Sequence, residues 1–525
     1  MIRRILRPGM AALAVACLAA PATAQTHTSA DPLIQAIWEE GTDRSQVYEL
    51  AQVLLDSIGP RLTASPAATA ASDWVMQMYD SWGIESRREN YGTWRSWRRG
   101  ITHIDLLEPR VRSLEGMMLA WSPGTDGPVT APALALPDLQ SPADLEAFLA
   151  EVEGKFVLLG PPEMTCRPNS NWEEYATPES YQNMLDRRQA YQEAYIARFE
   201  RAGVGPAELA GMVEDAGAVG ILSSNWSRGW GVNKVFRAGT RTIPQLDVSC
   251  EDYGLVFRLS ENDQGPMLRV DAQSEDLGDQ PVFNTIGVLP GTELPNEYVL
   301  LSAHFDSWDG GSGATDNGTG TVTMMEAMRI LSEVYPNPRR TILVGHWESE
   351  EQGLNGSRAF AADHPEVVEG LQALFNQDNG TGRVTNISMQ GLSGAAAHFG
   401  NWLAQVPTDI SRHIQLRIPG APGGGGSDYA SFICAGAPAF SLSSLSWEYG
   451  TYTWHTQRDT FDKVVIDEVT NNAVLTAMLA YLASEDPERV PRDQAVLPMN
   501  PRTGEQRTWP ECRDATRSSE GYFGR

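Results

Sequence analysis

Apolar residues recur at helical spacing across residues 31–57, first as Leu33, Ile37 and Trp38, then as Val47, Leu50, Val53 and Leu54. Asp31-Pro32 is a helix start signal and Gly59-Pro60 a stop. Residues 67–82 predict a second amphipathic helix, with Gly83 placed to take the left-handed conformation beyond its end. From 85 to 118 the pattern turns strand-like around Tyr91, Trp94 and Trp97. Such a cluster reads as packed core rather than a ligand platform.

Across residues 121–281 the texture changes. Short apolar runs at 131–136, 156–159, 219–222 and 242–246 alternate with Pro, Gly and Ser, which predicts a small β-rich unit. Residues 172–199 are polar and helical in character, an excursion on its rim. The ordered motifs "GKFVLL" (154–159), "AGAVGIL" (216–222) and "IP" (243–244) resemble a protease-associated domain, implying an insertion. Further on, strands at 298–303, 341–344 and 371–376 alternate with helical segments at 318–331 and from 356. That alternation predicts an α/β fold, a mixed and mostly parallel sheet with helices on both faces. Ligands of such sheets bind beyond the carboxyl ends of the strands.

With 525 residues the chain has room for about three domains. The expected division is a leader at 1–24, an N-terminal part at 25–120, the insertion at 121–281, a main domain at 282–486 and a tail at 487–525. Hydrophobic residues at 42% and charged residues at 20% exclude wholesale disorder. Acidic residues outnumber basic ones 67 to 40, a net charge of −27, which argues against nucleic-acid partners and against adhesion to an anionic membrane.

Arg3, Arg4 and Arg7, the apolar stretch 10–20 and Ala22-Thr23-Ala24 have the layout of a signal peptide, predicting export to the periplasm or the medium. That stretch is too short for a membrane span, and no later one approaches the roughly 20 apolar residues required. A lipoprotein reading through Cys17 lacks the leucine expected three positions earlier. Cys166, Cys250, Cys434 and Cys512 show no C-x-x-C spacing, so a thiolate zinc site is not indicated. Three disulfide pairings stay open, as does burial as free thiols.

Reading outward from each strand end gives the same residue class. The first strand runs into His304 and Asp306, with Asp316 in the Gly-rich loop that follows. The second runs into Glu350 and Glu351, the third into Asp378, and His455 stands far downstream. Each alone has an ordinary explanation, a core histidine or a solvated acidic face. Stacked at one sheet edge, they would repel one another unless cations offset the cost. Two histidines and three carboxylates suit two zinc ions per chain with one bridging carboxylate. A spare carboxylate in the Glu350-Glu351 pair can serve as general base.

The motifs "NTIGVLPG" (284–291), "LLSAHFDSWDGGSGATDNGTGTV" (300–322), "ESEEQGLNGSRAF" (348–360), "NQDNGTG" (376–382), "GGSDYASFICAGAPA" (425–439) and "WHTQRDTFDKV" (454–464) resemble the co-catalytic zinc exopeptidases. That family includes bacterial leucyl aminopeptidases, glutamate carboxypeptidase and carboxypeptidase Q, and "HFDSWD" is closest to the carboxypeptidase Q-like members. The resemblance implies that His304, Asp316 and Glu351 hold one zinc and that Asp316, Asp378 and His455 hold the other. It implies Glu350 as general base and Asp306 as the carboxylate orienting His304. Tyr429 is a departure, since many members have histidine after "SD". His103, His346, His398 and His413 match no ligand position.

The implied activity is hydrolysis of short peptides through a metal-bound hydroxide, by an aminopeptidase or dipeptidase. Carboxypeptidase Q-like or glutamate carboxypeptidase-like specificity and a single-zinc glutaminyl-cyclase-type relative are the alternatives. The expected partner is a peptide substrate; a homodimer is left open.

Overall fold

The computed structural model describes residues 29–499 and 502–523, so the leader and Cys17 lie outside the described residues. Its first helix, Pro32–Asp43, starts where the sequence signal stands: the Asp31 carboxylate accepts the Leu33 N–H at 2.8 Å with proline in the first turn. The chain continues through Val47–Gln52 and a wide turn at Val53–Ile58, and Gly59 breaks it at φ +84°. The next helix is Pro66–Ser81, capped by the Ser65 hydroxyl on Ala68 N at 3.1 Å. Each cap contributes about 1 kcal/mol.

Fourteen strands follow in chain order: β1 Glu85–Glu108, β2 Arg112–Leu114, β3 Gly116–Met118, β4 Val129–Ala135, β5 Phe156–Leu158, β6 Gly220–Ser223, β7 Gln245–Val248, β8 Met267–Leu289, β9 Leu294–His304, β10 Arg340–Trp347, β11 Leu371–Asn376, β12 Val384–Ser388, β13 Gln415–Arg417 and β14 Ala439–Ser444. They form one continuous sheet in the order β13-β12-β14-β11-β9-β10-β8-β4-β5-β6-β7-β3, with β1 paired to β8 and β2 to β1.

In the second half, β14, β11, β9 and β10 are mutually parallel. Every residue of β10 and β11 is buried, as expected for strands covered on both faces. The helices Thr319–Val334, Ile466–Glu485 and Pro32–Asp43 pack together as one group covering the sheet, and Asn355–Asp363 packs with Ala430–Ile433 in another. A single apolar core runs through this half.

Strands β4 to β7 are also mutually parallel, and β3 closes that edge antiparallel to β7. Residues 121–281 carry more helix than the β-rich texture of their sequence predicts, because Pro178–Ala202 and Cys250–Glu261 accompany short strands. Two long antiparallel strands join the halves: β8 pairs with β4 at its start and β10 at its end, with β1 along its length. Tyr91, Trp94 and Trp97 are buried in the core between them, as their clustering predicts. The cysteines pair as Cys166–Cys250 and Cys434–Cys512. Among the described residues no helix is long and apolar enough to cross a membrane.

Candidate metal centre

Strand order explains why distant residues meet. His304 ends β9, and β11 beside it delivers Asp378 two residues past its own end. β10, on the other side of β9, leads to Glu350 and Glu351. Asp316 comes from the loop between β9 and the helix Thr319–Val334. That helix begins very close to the end of β11: a β-carbon on Gly320 would collide with Asn317 Oδ1 and lie 2.6 Å from Gln377 O, so only glycine permits the approach.

The five predicted ligands converge. His304 Nε2 lies 3.3 Å from Asp378 Oδ1 and 3.4 Å from Asp316 Oδ1. His455 Nε2 lies 2.8 Å from Glu351 Oε2 and 3.3 Å from Asp316 Oδ2. Two groups result, His304 with Asp316 and Asp378, and Asp316 with Glu351 and His455, each with donor atoms within 4.8 Å of one another. Asp316 is common to both, as expected for a bridging carboxylate. The expected partition is otherwise corrected: Glu351 and Asp378 exchange places, because Asp378 comes from the strand adjoining His304 while Glu351 lies against His455.

Asp306 stands against His304 with both its main chain and its carboxylate. Its main-chain oxygen, at 3.0 Å, meets His304 Nδ1, whereas its carboxylate stands 3.7 Å away. That carboxylate also accepts the N–H groups of Glu350 (3.0 Å) and Glu351 (3.3 Å) and the Thr63 hydroxyl (3.2 Å), fixing the turn that presents the acidic pair.

The electrostatics follow from crowding buried carboxylates. Burial, aided by Asp378, Asp428 and the adjacent Glu351, pushes Glu350 well above the usual carboxylate range, with His304 working the other way. Glu351 is raised for the same first reason, with Asp316 adding to it. Burial alone would lower His304, but the Asp378 and Glu350 carboxylates raise it well above its ordinary value. His455 is lowered to about 4, mainly by burial.

Divalent cations fit this donor set. Asp316 Oδ2 and Glu351 Oε1 are buried without a hydrogen-bond partner, and mixed imidazole and carboxylate ligands are what zinc accepts. Without positive charge, four carboxylates (Asp316, Glu350, Glu351 and Asp378) around two imidazoles would be costly to bury.

Several further residues support the centre; Arg61 and Tyr449 lie in no motif, whereas Asp428, Tyr429 and Asp459 lie in the 425–439 and 454–464 motifs with no role assigned from sequence. Arg61 is fully buried, and its guanidinium donates to the main-chain oxygens of Phe305 (2.8 Å), Gly59 (2.9 Å), Ser312 (2.8 Å) and Gly313 (2.9 Å), bracing the loop that leads to Asp316. Asp459 accepts the N–H groups of Thr315 and Asp316. The Tyr449 phenol, raised by burial and then by Asp316, Asp378 and Glu351, faces the same carboxylates. Asp428 is buried beside Glu350 and Asp378 and raised to about 7 by burial. Its neighbour Tyr429 faces Asp378.

Residues 225–237 of the first half pack on the His455 loop. Val235 N donates to His455 O at 2.7 Å, Asn233 N to Gln457 Oε1 at 2.8 Å, and the Phe236 ring stands edge-on 5.3 Å from the His455 ring. The four histidines read as matching no ligand position stay outside the centre. His346 is buried against Tyr79, His398 bonds Asp486, and His103 and His413 are exposed.

Residues 284–482 match the model of peptidase family M28, and they contain all five ligands and Glu350. This segment belongs to that family. The M28 domain is thus one of the co-catalytic zinc exopeptidases that the motifs resemble. Carboxypeptidase Q of Mus musculus is 25% identical over 454 residues, covering 86% of this chain and 88% of the relative. The peptidase M28 precursor of Shewanella amazonensis has a TM-score of 0.63 at 23% identity, covering 88% of this chain and 98% of that one. A zinc aminopeptidase from Bacillus subtilis has a TM-score of 0.53 at 18% identity, over 86% and 97%. These two structures share the fold, including the first half of the chain that the family model leaves out.

Proposed function

We propose that the protein is an exported exopeptidase that holds two zinc ions and hydrolyses short peptides. The observation that carries this reading is the pair of ligand groups sharing Asp316 with Glu350 beside them. His304, Asp316 and Asp378 would hold one ion, and Asp316, Glu351 and His455 the other. Bound zinc supplies Lewis acidity toward a peptide carbonyl and makes water more acidic.

The chain's own residues do the rest. Glu350 stands beside both ligand groups and belongs to neither, so its carboxylate can take a proton from water and give it to the departing amine. Asp306 holds the Glu350 and Glu351 N–H groups and thereby sets the direction of both side chains. The carboxylate-rich edge and the chain's net charge of −27 favour a free α-amine, which supports aminopeptidase or dipeptidase action. The likeness to carboxypeptidase Q across 86% of the chain supports carboxy-end cleavage as the second reading. Two disulfides agree with an oxidising compartment, as the signal-like leader requires. Residues 121–281 are read as an inserted unit of protease-associated type that walls the metal edge, supported by the packing of 225–237 on the His455 loop.

The test compares amino-acid anilides, free dipeptides and N-blocked dipeptides, with and without chelator. Zinc-restored cleavage of anilides and free dipeptides supports amino-end action, and preference for N-blocked dipeptides supports the carboxy-end reading. No cleavage of any of the three by zinc-replete protein sinks the exopeptidase reading.

A further inference from the structure

The segment after Cys512 takes a course that peptide hydrolysis alone does not require. Held by the Cys434–Cys512 disulfide, it meets β1 in a parallel bridge between Ser518 and Thr93. Thr516 N donates to Asn355 Oδ1 at 2.9 Å, and the Arg517 guanidinium grips both oxygens of Asp363 at 2.7 and 2.9 Å. Thr93 N donates to Arg517 O at 2.9 Å. A β-carbon on Gly92 would strike Arg517 O, so this glycine lets the two backbones meet. Ser519 Oγ then accepts Arg95 N at 3.2 Å.

The segment ends its described course among aromatic rings. Tyr522 lies 4.9 Å from Trp94 and Phe523 lies 5.3 Å from Trp121, centroid to centroid. Arg237, from the first half's 225–237 segment, donates to Tyr522 O and lays its guanidinium 4.7 Å over the Tyr522 ring. The rings continue to the metal centre: Trp121 is 6.1 Å from Trp308, and Trp308 is 6.0 Å from His455. Phe236 completes the row, 5.5 Å from Trp308. Tyr522, Phe523 and Phe236 are half-buried and keep an open face, whereas Trp121 and Trp308 are buried. A disulfide, a bidentate ion pair and backbone hydrogen bonds make the segment a fixed element rather than a loose tail.

We infer that residues 513–523 form a strap whose Tyr522–Phe523 pair, continuing the row of Trp121, Trp308 and Phe236, closes one side of the substrate cleft and confines it to short peptides. The inference rests on the exopeptidase reading and names its substrate class by length. Phe236 and Trp308 stand beside His455 and the strap rings extend that wall through Trp121, which leaves room for a peptide end and blocks a chain that must pass across it.

Tyr522→Ala, Phe523→Ala and the double variant test this while keeping the disulfide and the Arg517 pair. The ratio of kcat/KM for a hexapeptide to that for a dipeptide should rise by about tenfold or more in the double variant, and Tyr522→Phe should keep the wild-type ratio. A second measurement needs no turnover: zinc removal by free dipicolinate is compared with removal by dipicolinate joined to a hexapeptide. The tethered chelator should gain on the free one only when the strap rings are cut back. If the double variant purifies without zinc, Tyr522→Ala alone is read, since it leaves Phe523 in place. Unchanged ratios in both measurements, in zinc-replete protein, overturn the strap. A wild type that cleaves neither peptide sinks the exopeptidase reading instead, and the chelator comparison still decides the strap.

Discussion

The Asp459 carboxylate accepts the Asp316 N–H at 3.0 Å, so the residue shared by both ligand groups is held from behind by a second buried carboxylate. The same group accepts Thr315 N at 2.8 Å, and burial raises it to about 7. Asp459→Asn keeps the size but leaves one amide N–H facing another donor. Groups that orient metal ligands typically matter by about 10–100-fold in metal affinity. Asp459→Asn should therefore lose zinc to a competing chelator about that much more readily while remaining folded, as read by zinc content after dialysis against graded chelator. Wild-type zinc retention would show that the Asp316 loop holds its shape without Asp459.

The grouping of ligands predicts a pattern across variants. His304→Ala and Asp378→Ala should each leave about one zinc per chain and remove the same ion, so the double variant should lose little more. His455→Ala and Glu351→Ala should behave likewise for the other ion, whereas Asp316→Ala should approach zero. Metal analysis of singles and doubles checks this. If His304→Ala and Glu351→Ala proved the redundant pair, the structural grouping would be wrong and the partition expected from the motifs right.

Glu350 belongs to neither ligand group, and its main-chain N–H is already held by Asp306. Glu350→Gln should keep the zinc content and lower kcat by about 10²–10⁴-fold, the usual range for losing a general base. Steady-state kinetics beside metal analysis on one preparation checks it. A variant that loses zinc would place Glu350 among the ligands.

Much of this centre was legible because the chemistry stands directly after buried strands, where β9, β10 and β11 read as apolar runs ending in His304, Glu350 and Asp378. Their partition was not, since it depends on sheet order, and β11 adjoins β9 although β10 intervenes in sequence. Arg61 was illegible for a related reason. It follows an ordinary Gly-Pro turn, and apart from Gly59 O its acceptors are main-chain oxygens far downstream, which leave no side-chain signature. The expected boundary at residue 281 falls within β8, opposite Thr93, where one long strand passes from the first half to the second. The course of the tail after 487 is not legible, because its contacts are with Gly92 and Trp94 in a strand some four hundred positions earlier.

His346 supplies a pH dependence separate from the ligand set. It is fully buried on β10, with Nε2 2.6 Å from the Tyr79 hydroxyl and its ring between Tyr79 and Phe305. Burial pushes the imidazole from 6.5 down to about 3. As pH falls below about 6.5 the unfolded chain takes up this proton, and the folded chain does not until about 3. Between those values the unfolded state binds more protons, so His346 contributes stability that is complete above 6.5 and is lost progressively on acidification. His346→Gln retains a polar atom toward Tyr79 and cannot titrate. Its overall stability should fall through altered packing, but the slope of unfolding free energy against pH should flatten by up to about 1.4 kcal/mol per pH unit across pH 4 to 6. Urea unfolding of both proteins at matched zinc loading measures this, since every other titrating group is common to the two and cancels in the difference. Parallel slopes would mean that the folded protein protonates His346 as readily as the unfolded chain does, and that the Tyr79 contact does not keep the ring neutral.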